Sequence, residues 1–168
     1  MPNASFLSVE RGTTPSGVGT AFMDTPNAFG TLTGALHELF DEVQPAEALA
    51  GDVEYRLIVI RNTHGSEAFI GLKAYLSSNT TSASTTLEIG VDPNTTLATI
   101  PKIATEATAP AGVTFSAPSS VAGALDLGDL PGGGSTTTIG LWLKRTVTAG
   151  AAPLLSDAAV LVITNATS

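Results

Sequence analysis

From Glu54 onward the chain is built from short runs in which apolar and polar positions alternate, the period of a pleated strand. Glu54–Arg61 places Leu57 and Val59 on one face and Ile58 and Ile60 on the other. Apolar residues on both faces predict a central strand covered on each side. In Phe69–Leu76 the positions Ile70, Leu72, Ala74 and Leu76 are assigned to the inward face. Thr86–Val91 turns Leu87, Ile89 and Val91 inward and Glu88 outward. Patterning weakens after Pro93 and returns at Gly112–Ala117, where Val113 and Phe115 share a face. Leu125 and Leu127 flank an outward Asp126, and the glycine-rich stretch Gly128–Gly134 reads as a wide hairpin turn. Thr136–Val147 is the longest strand candidate, with Ile139, Leu141 and Leu143 inward, and Ala158–Thr164 closes the pattern, apolar on both faces.

The first 35 residues read differently. Glycine and proline punctuate them, and neither a helical nor a strand period persists. Phe6, Leu7, Phe22, Met23, Phe29 and Leu32 are spaced like anchors of an extended arm that lies across its own domain or a neighbour. Ala35–Val43 fits helical spacing at Leu36, Leu39, Phe40 and Val43 but is short for a helix. Pro45–Ala50 reads as one helical turn or a tight connection, closed by Gly51. Residues 1–35 are therefore an extended N-terminal arm and residues 36–168 one domain. Short strands between Gly/Pro/Asn/Asp clusters, without long helices, predict an all-β antiparallel two-sheet sandwich, immunoglobulin-like or jelly-roll.

Composition supports the β reading. Only 13 % of residues are charged, and small and β-branched residues fill the gap. A net charge of −8, with seven Lys and Arg, argues against a nucleic-acid partner, because phosphates demand clustered cations. No cysteine is present, so disulfides and thiolate metal sites are excluded. The start of the chain lacks the pattern of a secretory signal, and no apolar run is long enough to span a bilayer, so a cytosolic origin and no membrane partner are expected.

Candidate chemistry is sparse. His37 and Asp41 could share a face, but they supply too few ligands for a metal site, and a solvated acidic edge fits them better. His64–Gly65–Ser66–Glu67 contains hydrolase residue types in a spacing that forbids triad geometry, and Asn62–Gly65 reads as a turn between strands. Gly128–Gly134 lacks the Lys-Ser/Thr of a phosphate loop, and Asp92–Pro93–Asn94 is a turn rather than a calcium loop. The Asn-x-Ser/Thr sequons at Asn3, Asn79, Asn94 and Asn165 are coincidences of a Thr-rich chain. No catalytic set, cofactor or metal is expected. The informative residues are aromatic: alternation turns Trp142 outward, and by the same parity Phe69 and Tyr75 point away from the core. Outward aromatics mark contact surfaces, unless the arm covers them within the chain. Phe6, Phe22, Phe29, Phe69, Tyr75 and Trp142 are the interface candidates.

Two stretches carry a resemblance. Leu39–Phe40–Asp41–Glu42–Val43–Gln44–Pro45–Ala46–Glu47–Ala48 followed by Gly51–Asp52–Val53–Glu54–Tyr55–Arg56 is similar to a family of tailed-bacteriophage virion proteins. Pro110–Phe115, Leu127–Leu130 and Leu141–Val147 are similar as well, so the likeness spans roughly residues 39–165. It implies a structural virion protein with an immunoglobulin-like sandwich, most simply a head decoration or cement protein. The alternatives are a tail tube, baseplate or fibre module, or a carbohydrate- or receptor-binding sandwich using Trp142 and Tyr75. The implied location is the capsid surface of the virion after synthesis in the host cytoplasm. The implied partners are the major capsid protein and neighbouring copies of the chain, as a homo-oligomer such as a trimer. Within the motif, Arg56 is expected to pair with Glu54 or another acidic neighbour and fix the strand's entry.

Overall fold

A computed structural model describes residues 7–12, 29–31, 39–96, 99–101, 103–134, 137–152 and 157–165. The elements are β1 (Leu7–Gly12), β2 (Phe29–Thr31), α1 (Pro45–Ala50), β3 (Asp52–Asn62), β4 (Phe69–Ser78), β5 (Thr85–Val91), β6 (Leu125–Leu130), β7 (Ile139–Val147) and β8 (Val160–Asn165). They form two antiparallel sheets, a five-stranded one in the order β2-β1-β3-β7-β5 and a three-stranded one in the order β6-β4-β8. The two-sheet sandwich is thus observed.

Its connectivity was not foreseen. From β3 to β8 every successive strand lies in the opposite sheet. Gly128–Gly134 is therefore no hairpin turn: β6 runs through Leu130, and the chain then crosses to β7 in the other sheet. Asn62–Gly65 likewise links β3 to β4 across the sandwich. Two strands come from the first 35 residues, and β1 pairs with β3 from Leu7↔Asn62 to Arg11↔Ile58. Gly112–Ala117 is not a strand; it touches β5 through an isolated bridge, Ile89↔Ser116. Pro45–Ala50 forms the expected helical turn, opened by Pro45 and ended by Gly51, whose φ of 81° suits glycine. Of the ambiguous Ala35–Val43, residues 39–43 are not helical and the rest lies outside the described residues.

The main core fills the space between the sheets with Ile58 and Ile60 of β3, Leu72, Ala74 and Leu76 of β4, Ile89 of β5 and Leu141 of β7, among others. A second, smaller core lies on the opposite face of the large sheet, where Leu57, Val59 and Trp142 meet Ile100. The expectation of a central strand covered on both sides holds for β3. Among the described residues no helix is long and apolar enough to cross a membrane.

Candidate functional site

The outer face of the large sheet is closed by the chain itself. The described residues between 92 and 118 leave β5, cross this face and return. Asp92 N–H donates to the Gly140 carbonyl at 2.9 Å, Thr138 N–H to Thr95 at 2.8 Å and Tyr55 N–H to Glu106 at 2.8 Å, while Ile89 and Ser116 exchange bonds of 2.8 and 3.0 Å. Trp142 sits beneath this cover with no exposed surface, its indole Nε1 donating to Asp92 Oδ2 at 2.7 Å. Oδ1 of Asp92 accepts from the backbone and side-chain nitrogens of Asn94, 2.9 and 2.8 Å away, which shapes the expected turn. Glycine makes the close approach possible. A Cβ on Gly90 would lie 2.5 Å from Val113 Cγ1, and one on Gly140 would lie 2.9 Å from Ile100 Cδ1.

The predicted interface residues therefore separate. Trp142 does point away from the main core, but it is buried in this second core, where Leu57 and Val59 come from β3 while Ile100, Ile103, Val113 and Phe115 belong to the cover. Contrary to the alternation, Phe69 is buried in the main core and Ile70 is 53 % exposed. The reason is a β-bulge: Phe69 pairs with Leu130 and Leu72 with Gly128, so the parity flips between them. Gly71 takes the left-handed conformation at φ 61° and donates its N–H to Asp129 Oδ1 at 2.8 Å. A glycine inside a strand pattern was the signal for this bulge. Tyr75 is half-buried on the outer face of the small sheet. Phe29 lies in β2, and Phe6 and Phe22 lie outside the described residues.

The outer face of the small sheet differs from its counterpart. Tyr75 stands opposite Val162, and Lys73 stands between Asp126 and Thr164. Ile70 and Val160 are each more than half exposed. This face, centred on β4 and β8, is the candidate interaction surface.

Ionic chemistry converges at the end of the sandwich where the resemblance motif lies. Glu54 and Arg145 are cross-strand partners, and both are largely buried. Arg56 Nη2 donates to Glu54 Oε1 at 3.0 Å and to Glu106 Oε2 at 2.5 Å. Arg145 Nη2 forms an ion pair with Glu54 Oε2 and lies 3.4 Å from Asp41 Oδ1. The guanidiniums also hold an irregular segment by its carbonyls, through Arg56 Nε to Leu39 at 3.1 Å and Arg145 Nη1 to Asp41 at 2.7 Å. Phe40 lies against both, 5.5 and 5.0 Å from their central carbons. The expected Arg56–Glu54 pair and an acidic neighbour are both present. Asp41, Glu54 and Glu106 bring carboxylate oxygens within 4.8 Å of one another, a ligand-like spacing. Each carboxylate nevertheless already faces a guanidinium nitrogen, so the group is engaged with arginines rather than forming an open ligand set.

His64 takes a structural role: its Nδ1 accepts the backbone N–H groups of Ser66 and Glu67 at 3.2 and 2.8 Å. Comparison of the chain with protein-family models, curated proteins and solved structures finds no match.

Proposed function

We propose that this chain is a structural component of a tailed-bacteriophage particle, a head decoration or cement protein that stabilises the shell through contacts with the major capsid protein and neighbouring copies of itself. The observation that carries this reading is the unequal treatment of the two outer sheet faces. One is sealed by the chain's own loop over Trp142, and the other presents Ile70, Tyr75, Val160 and Val162. Apolar side chains on an outer sheet face are a common basis for contact with another subunit. A module repeated over a shell needs only modest contacts per copy, because multivalency multiplies them. The resemblance in Asp41–Glu47 and Gly51–Arg56 supplies the virion context. The carbohydrate-binding reading loses its main support, since Trp142 is buried and its N–H is committed to Asp92.

Quantitative mass spectrometry of purified particles tests the proposal. Copies in fixed ratio to the shell subunit are expected, with incorporation lost in an Ile70→Asp variant that still folds. A low copy number that follows the tail proteins would move the module to the tail tube, baseplate or fibre. Absence from the particle would overturn the reading.

A further inference from the structure

The acid–arginine group has a charge imbalance that its burial makes consequential. Among the described residues, three carboxylates, Asp41, Glu54 and Glu106, face two guanidiniums, Arg56 and Arg145. When all are ionised the group carries one excess negative charge, and the most enclosed carboxylate, Glu54, has a side chain only 3 % exposed. Such a site is relieved when the excess charge is removed. Four separate parts of the chain meet here: the irregular segment at Asp41, strand β3 at Glu54 and Arg56, strand β7 at Arg145, and the cover of the large sheet at Glu106. Asp52 is the other acidic residue on the same side of β3.

We propose that this group is a proton-operated clasp, in which its excess negative charge is removed by one proton taken up at Glu54, and the uptake tightens the attachment of the Asp41 segment and the Glu106 loop to the sandwich. With Glu54 neutral, two guanidiniums face two carboxylates and the group is balanced. With Glu54 ionised, its charge repels Asp41 and Glu106, the two more exposed carboxylates and the ones carried on irregular chain. Those segments loosen first. Desolvation by burial, only partly offset by Arg145 and Arg56, raises the Glu54 carboxyl to about 7, and a hydrogen bond with Asp41 contributes in the same direction.

The direction of the pH effect follows. The unfolded chain releases this proton near pH 4.5 and the folded chain near 7, so the folded state binds more protons between those values. Stability from this group is therefore full at the acidic end and is lost as pH rises through about 7. The melting temperature should be roughly 4 °C higher at pH 6 than at pH 8 on account of this group. The Tyr55 amide, bonded to the Glu106 carbonyl, should be better protected from exchange at pH 6 after correction for intrinsic rate.

The test is carbon-detected NMR titration of the Glu54 carboxyl in the full chain, with melting curves at both pH values. A midpoint between pH 6 and 8 is expected in the unmodified chain. Asp41→Asn leaves two carboxylates against two guanidiniums, so the midpoint should fall and the melting difference should shrink. Glu54→Gln should abolish the difference while keeping the higher melting temperature. A Glu54 midpoint in the ordinary carboxylate range would overturn the proposal, as would a midpoint unmoved by Asp41→Asn. Should Glu54→Gln not fold, the Asp41→Asn titration decides alone, because Asp41 is half-exposed.

Discussion

The two outer faces of the sandwich solve the same problem in opposite ways. On the large sheet, apolar residues of β3 and β7 would meet water, and the chain spends residues 92–118 covering them. The cover fits because glycines stand at positions 90 and 140 and because Asp92 supplies the acceptor that a buried indole requires. On the small sheet, the outer positions of β4 and β8 are filled by medium-sized residues with partial exposure, held in register by pairs such as Tyr75↔Val162. A buried face tolerates little change in volume or polarity, whereas an exposed face can change with small cost to the fold. The contrast separates residues that make the fold from residues that the proposed function assigns to a partner.

Substitutions should break this contrast in a graded way. Trp142→Ala should cost the most, about 3–5 kcal/mol in denaturant unfolding, because it empties the second core and leaves Asp92 Oδ2 without its donor. Gly90→Ala comes next at about 1–3 kcal/mol. Its methyl would lie 2.5 Å from Val113 Cγ1 and 2.7 Å from the Thr114 carbonyl, so the cover must lift. Limited proteolysis within residues 99–115 should accelerate in that variant. Ile70→Asp on the open face should change stability by no more than about 0.5 kcal/mol while removing the particle association proposed above. If Ile70→Asp destabilised the fold as strongly as Gly90→Ala, the two faces would not differ in the way described.

The paired polar residues sharpen the same comparison. Lys144 and Glu88 form a cross-strand ion pair at 2.7 Å beside the covered face, and hydrogen bonding to Glu88 raises the Lys144 ammonium above its usual range. Both side chains are partly exposed, so the pair is worth little by itself. The buried group around Glu54 is the opposite case, where desolvation outweighs the attraction of two arginines.

Much of the strand inventory could be read directly from alternation, since period-two patterning is a local property of each run. Glu54–Arg61, Thr86–Val91 and the β7 candidate keep their assigned faces, and Leu57 and Val59 do lie opposite Ile58 and Ile60. Where local reading failed, a local irregularity was the cause: the Gly71 bulge reversed Phe69 and Ile70. Other features depend on residues distant in sequence. Alternation directed Trp142 away from the main core, but only the path of residues 92–118 determined that it would be buried. The pairing of β3 with β7, the strict exchange of strands between sheets and the meeting of Asp41, Glu54, Glu106 and Arg145 have the same origin. A sequence pattern reports which way a side chain faces; what stands opposite is decided when distant strands pair, because the free energy of that choice resides in contacts the local pattern does not contain.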